Sequence, residues 1–357
     1  MIMCTELVPM SMAAMRMGAL YDIRMLSPHP LLPLLERQAR AFGGHLPGAI
    51  EGEVEPVHQC RVATRRLREL LPLCECELSA GIASRARRRL RRVGGAMGPV
   101  REVDVALELA DELAQQQVVR DEAEERLRQH LQDEREERRE QMLDRLRAIN
   151  TLKLERDLAD VARLLGMRQQ TDLWAQALAS RMESRAGTLL ETVEAAGPLY
   201  IADRVHAVRI ATKRLRYVLE LAGDTGEART KRAVRDARSV QETLGRLHDL
   251  DVLAALMQDL IAAAAGQPWR EPLKAAHLHL ERECRSLHGQ YVSRQELVSE
   301  LGHGAEKAGR EIWIERGGEE QHAAPPKRVG RVLKMTLAEP RRELRPAAQE
   351  PPRNRAT

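Results

Sequence analysis

Hydrophobic and polar positions along this chain fall into long stretches in which no run alternates with period two using β-branched residues. The pattern predicts helices and no strands. Proline marks the boundaries: there is none between Pro99 and Pro198, nor between Pro198 and Pro268. These stretches are rich in Leu, Ala, Arg, Glu and Gln, the strong helix formers. Residues 119–148 mix charges of both signs at helical spacing, as in a solvated helix laced with i,i+4 pairs. Beyond about residue 315 the apolar period stops, and proline and charge predict a disordered Pro/Arg/Glu-rich tail over 315–357. The Met-rich stretch 1–30 reads as a flexible leader. It lacks a basic start, with Glu6 ahead of its apolar run and Arg16 inside it, and so makes a poor signal peptide.

Composition changes this picture little. Hydrophobic residues make up 43% of 357, enough for a core, and one Phe, three Trp and four Tyr make that core aliphatic. Charged residues reach 31%, yet 57 basic against 53 acidic leave a net charge of only +4. Any electrostatic function must therefore come from how the charges are distributed. The five cysteines form no CxxC pair and read as reduced packing residues of a cytoplasmic protein. No apolar run approaches membrane-spanning length, so no membrane partner is expected.

Self-similarity carries the main signal. VHQCRVATRRLRELL (57–71) matches VHAVRIATKRLRYVL (205–219) at an offset of 148, and GPVREVDVAL (98–107) matches GRLHDLDVLA (245–254) at 147. Two blocks in the same order and nearly the same register predict an internal duplication, with repeats of about 31–168 and 172–308. On a helix at 100° per residue, Arg61, Arg65 and Arg68 fall within about 80° of His58, with Arg66 flanking them. His206, Arg209, Lys213 and Arg216 repeat the stripe, with Arg214 in the flanking position. From His58 to Arg68 the row extends roughly 15 Å, a length suited to an extended chain of anions.

A second basic element follows each stripe. Residues 79–101 contain seven arginines and no Asp or Glu. Arg85, Arg88, Arg89 and Arg92 share one face of it, and the later copy answers with Arg232, Arg235 and Arg238, diluted by Asp236. A basic stripe on one helix is ordinarily just a solvated face. Its recurrence, each time with His at the same phase, favours a site for a long polyanion.

These residues resemble the two halves of a CHAD domain, the conserved histidine α-helical domain, over roughly 31–308. The His-x-x-Arg-x-x-x-Arg/Lys-Arg-Leu-Arg pattern, present twice, carries the resemblance. It implies an all-α fold of two pseudo-symmetric helical bundles around a central basic cleft or pore. It also implies binding of inorganic polyphosphate, with some members found on storage granules. The ten stripe residues, His58, Arg61, Arg65, Arg66 and Arg68 with His206, Arg209, Lys213, Arg214 and Arg216, would then line the site. Arg85, Arg88, Arg92, Arg232 and Arg235 are additions with looser correspondence. Glu102 stands where the family has Asp, and Ser239 answers Arg92. EGEVE (51–55) lacks the Lys of the Glu-x-Glu-x-Lys motif that opens an adjoining triphosphate-tunnel domain, so the domain is read as stand-alone.

The reading is of a binder without catalytic residues, metal or cofactor. A metal-dependent HD-type phosphohydrolase is the enzyme alternative, outlined by His206, His248-Asp249 and Asp251. The first copy has Arg101-Glu102 in place of His248-Asp249, which argues against it. Nonspecific nucleic-acid binding is the other alternative. The basic helices offer only Tyr217 for stacking, so sequence-specific recognition is not expected. Asp104 and Asp251 read as partners that orient arginines, and His58 and His206 are expected to strengthen binding as pH falls through about 6.5.

Overall fold

The computed structural model describes residues 29–78, 81–168 and 171–317. These form eleven α-helices and no strand, as the missing period-two pattern predicts. In order they are α1 (Leu31–Glu51), α2 (Val54–Glu77), α3 (Ile82–Ala96), α4 (Gly98–Gln115), α5 (Asp121–Arg147) and α6 (Thr151–Gly166). There follow α7 (Leu173–Ala196), α8 (Ala202–Asp224), α9 (Lys231–Ala263), α10 (Arg270–Val292) and α11 (Gln295–Glu315). The leader expected over 1–30 and the tail expected over 315–357 lie outside the described residues, apart from 29–30 and 315–317.

Local chemistry sets the helix ends. Gly52 closes α1 in the left-handed conformation (φ 83°), its N–H on the carbonyls of Gly48 and Ala49, a position that suits glycine best. Asn150 caps α6 by accepting from the Lys153 N–H at 2.8 Å. The basic helix α2 begins at Val54, two residues before Pro56. Pro56 is tolerated because N–H groups in a first helical turn have no intrahelical partner. Pro99 separates α3 from α4, since it lacks an N–H and its ring crowds the preceding turn. The matching stretch of α9 has no proline, and α9 runs unbroken for 33 residues.

Neighbour relations recur in the two halves: α1 packs on α2 and α6, and α7 on α8 and α11. Likewise α2 packs on α3, and α8 on α9. The hydrophobic cores, however, do not follow the halves of the sequence. One core joins α1, α2, α3 and α6 to α7, α8, α11 and the first half of α9. The other joins α4 and the first half of α5 to α10 and the second half of α9, while Met142 and Leu146 of α5 belong to the first core. The first core ends at Val100 and Leu247, and the second begins at Val103 and Leu250. Between these levels in the chain lie Arg101, Glu102, His248 and Asp249. Cys60, Cys74 and Cys284 are buried packing thiols, and Cys76 is exposed. Among the described residues no helix is long and apolar enough to cross a membrane.

Candidate functional site

The two stripes belong to α2 and α8, which touch each other. Their apolar backs hold them in place: Val57, Ala63, Leu67 and Leu71 on α2, and Val205, Ala211, Leu215 and Leu219 on α8, are all buried. Their basic faces meet over Arg61, Arg65, Arg209 and Lys213. Burial and the surrounding arginines, Arg65 first and then Arg209 and Arg61, push the Lys213 ammonium down to about 6. Burial and Arg65 likewise push Arg61 down to about 10. Like charges converge here instead of neutralising one another, an arrangement that costs folding energy.

Carboxylates relieve this in part, Glu102 acting on both Arg61 and Arg209. Arg209 has Asp249 at 3.8 Å, and burial raises the Asp249 carboxyl despite that neighbour. Arg65 and Lys213 have no ion pair among the described residues. Arg61 donates to the Gly94 carbonyl at 3.1 Å. Glycine allows this close approach, because a Cβ on Gly98 would stand 3.1 Å from the Arg61 Nη1.

Histidines edge the cluster. His206 and His248 hydrogen-bond through their Nδ1 atoms at 3.0 Å. Burial, with Arg209 next, lowers the pKa of His206 and pushes His248 down to about 3. His58 is lowered by burial and by Arg101. These rings therefore charge below 6.5, lower than the sequence expectation. Asp104 does orient an arginine, accepting from the Arg135 Nε at 2.8 Å. Asp251 instead accepts from the Tyr200 hydroxyl at 2.5 Å, so its expected arginine partner is replaced by a phenol.

The other sequence-derived residues divide into three groups. Arg68 and Arg214 lie together on one side of the centre, beside Arg91. Arg66 and Arg216 lie on the other, at 4.0 and 2.6 Å from Glu220. Arg85, Arg88, Arg92, Arg232 and Arg235 are not brought to the central cluster. Arg92 donates to the Ala148 carbonyl at 3.1 Å, Arg232 is 3.8 Å from Asp236, and Arg85, Arg88 and Arg235 are exposed on their helices.

Sequence reasoning missed residues that the fold supplies. Arg181 and Arg185 of α7 pair with the buried Glu69. Arg101 of α4 is one of the charges acting on Arg61 and His58. A sequence signal existed for Arg91, which matches Arg238 at the same offset of 147 that relates the downstream blocks.

A family model for the CHAD domain matches residues 33–258. Among solved structures, the fold is similar to the CHAD domain from the plant Ricinus communis. That chain is 21% identical with a TM-score of 0.53, over 77% of this chain and 90% of that one. It is also similar to PptA from Streptomyces chartreusis, 19% identical with a TM-score of 0.50, over 80% of this chain and 100% of that one. No curated protein matched the chain. At these identities the structural likeness establishes the fold alone. The family model, whose span exceeds half of the sequence and includes both basic stripes, identifies the chain as a member of the CHAD domain family.

Proposed function

We propose that this protein binds inorganic polyphosphate without transforming it. The observation that carries the reading is the convergence of Arg61, Arg65, Arg209 and Lys213 from two helices, with Asp249 the nearest paired carboxylate at 3.8 Å from Arg209. Membership of a family generally linked to polyphosphate supports the choice among polyanions. Guanidinium groups fork onto successive phosphate oxygens, and displaced counterions add a salt-dependent driving force. Each phosphate oxygen returns to Lys213 and the histidines the favourable charge environment that burial removes. A chain of phosphates satisfies several such groups at once, which a single phosphate cannot do.

A non-catalytic role fits the way the enzyme-like residues are engaged. His206 and His248 bond to each other, and Asp251 is held by Tyr200. The corresponding location is the cytoplasm, with attachment to polyphosphate-containing granules through the same site. A competition titration tests the reading, using long polyphosphate, tripolyphosphate, orthophosphate and single-stranded DNA. Long polyphosphate is expected to bind tightest. Arg61→Glu/Arg209→Glu is expected to weaken it by about 100-fold or more, since each change replaces an attraction by a repulsion. DNA binding as tightly as polyphosphate, or an unaffected double variant, overturns the reading.

A further inference from the structure

The centre of the site is flanked by two sets of four arginines, related by the sequence repeat. Arg37, Arg66, Arg68 and Arg91 of the first half match Arg185, Arg214, Arg216 and Arg238 of the second, at offsets of 148 or 147. In space the sets exchange partners. Arg68 and Arg91 gather with Arg185 and Arg214, whereas Arg216 and Arg238 gather with Arg37 and Arg66. The first flank also holds Arg181, whose matching position is Pro33, so the flanks differ by one arginine and in their acids.

On the second flank the acids are inside the set. Glu220 accepts from Arg216 at 2.6 Å and Arg238 at 3.0 Å, with Arg66 at 4.0 Å. Asp224 accepts from Arg37 at 2.9 Å. The matching positions in the first copy are Pro72 and Cys76, which carry no negative charge. The first flank has one carboxylate, Glu69, buried and held by Arg181 and Arg185 from α7. Arg68, Arg91 and Arg214 form no hydrogen bond or ion pair with the described residues. Burial, with Arg214 and Arg91 close by, holds the Arg68 guanidinium below its usual pKa.

We propose that the polyphosphate chain leaves the central cluster in one direction only, over an open arm built from Arg68, Arg91, Arg185 and Arg214. This rests on the polyphosphate reading above and adds a polarity and a length dependence to it. Glu220 and Asp224 close the opposite arm by neutralising its arginines from within. A chain of three phosphates fills the centre alone, while a longer one also gains the arm. Arg91 and Arg185, outside the histidine-bearing motif, thereby join Arg68 and Arg214 within it in setting the preference for polymer length.

Matched pairs of exposed arginines test it. Arg91→Gln/Arg214→Gln removes two cations of the open arm, and Arg37→Gln/Arg238→Gln removes two of the closed one. Each protein is titrated with polyphosphate of about 100 phosphates and with tripolyphosphate, after circular dichroism confirms that it is folded. The open-arm pair is expected to weaken the long polymer about tenfold or more. It should also lower the slope of log affinity against log salt by about 1.4, for two lost phosphate contacts. Tripolyphosphate binding should stay within about twofold, and the closed-arm pair should change neither ligand by more than that. Glu220→Gln/Asp224→Asn, which opens the second arm, should tighten the long polymer. Equal losses from the two pairs, or an equal loss for tripolyphosphate, overturns the one-armed path while leaving the polyphosphate reading intact. A wild-type protein that binds no long polyphosphate overturns both.

Discussion

His206 and His248 meet across the α8–α9 contact with their Nδ1 atoms 3.0 Å apart, so one ring donates and the other must be neutral to accept. Protonating the acceptor sets two N–H donors against each other and places a cation beside Arg209 and Lys213. The folded pKa values are lowered, that of His248 to about 3, so the unfolded chain binds more protons once pH falls below 6.5. The ligand-free protein should therefore lose stability progressively from pH 6.5 towards pH 3. Melting temperatures of the wild type and His248→Gln at pH 7 and pH 5 check this. The variant should show the smaller drop, and parallel drops would dismiss the pair as the cause.

Lys213 gives the complementary effect on binding. Its ammonium is pushed down to about 6 by burial and by Arg65, Arg209 and Arg61. A bound polyanion reverses that balance and raises the pKa again, so binding between pH 6 and the ordinary lysine range takes up protons. Affinity should fall as pH rises from 6 to 8. Calorimetric titrations at pH 8 in two buffers of different ionisation enthalpy should show uptake approaching about one proton per site. Lys213→Arg should remove most of this uptake, because arginine stays charged throughout. Identical heats in both buffers would rule out the coupling.

Glu69 is expected to matter for stability more than for binding. It is buried and holds both Arg181 and Arg185, so Glu69→Gln leaves two guanidinium groups short of their counter-charge. Breaking a buried pair costs about 3–5 kcal/mol, and the partial exposure of these arginines reduces the expected loss to about 2 kcal/mol. Urea unfolding should show that loss without ligand, and saturating polyphosphate should recover much of it. A stability unchanged by the substitution would show that the pair is already screened by solvent.

The parts of the site legible in the sequence are those with a repeated local pattern. His58 and His206 share a helical phase with Arg61, Arg65, Arg209 and Lys213, and a helix that buries Leu67 or Leu215 must turn those cations the other way. Arg181 and Arg185 could not be read in this manner. Their partner Glu69 is more than a hundred residues away, and only the packing of α7 on α2 joins them. Arg91 and Arg92 illustrate a further limit. Adjacent positions on a helix point about 100° apart, and local sequence does not say which faces the site. The fold turns Arg91 towards Arg68 and Arg214, and sends Arg92 to the Ala148 carbonyl. The helical class was legible throughout, but the mixing of both halves in each core was not, because periodicity shows which face is buried and not what covers it.

Two glycines one turn apart at the α3–α4 junction should separate site geometry from fold stability. A Cβ on Gly98 would stand 3.1 Å from the Arg61 Nη1, the tip of a flexible side chain. Arg61 can yield by leaving the Gly94 carbonyl, so Gly98→Ala should change stability little and displace a central cation. The expected result is an unchanged melting temperature with polyphosphate binding weakened by about threefold to tenfold, the loss of one charge-assisted contact. A Cβ on Gly94 would meet the Thr64 Cγ2 at 3.1 Å, and Thr64 is fully buried between α2 and α3. A β-branched residue packed in that way has no free rotamer to retreat into. Overpacking costs about 1–3 kcal/mol, against which the better helix propensity of alanine returns at most about 1 kcal/mol. Gly94→Ala should thus destabilise by about 1 kcal/mol. The pair of variants gives opposite readouts if Arg61 is a ligand held by glycine-permitted approach. If Gly98→Ala binds as the wild type does, the position of Arg61 against α3 has no part in binding.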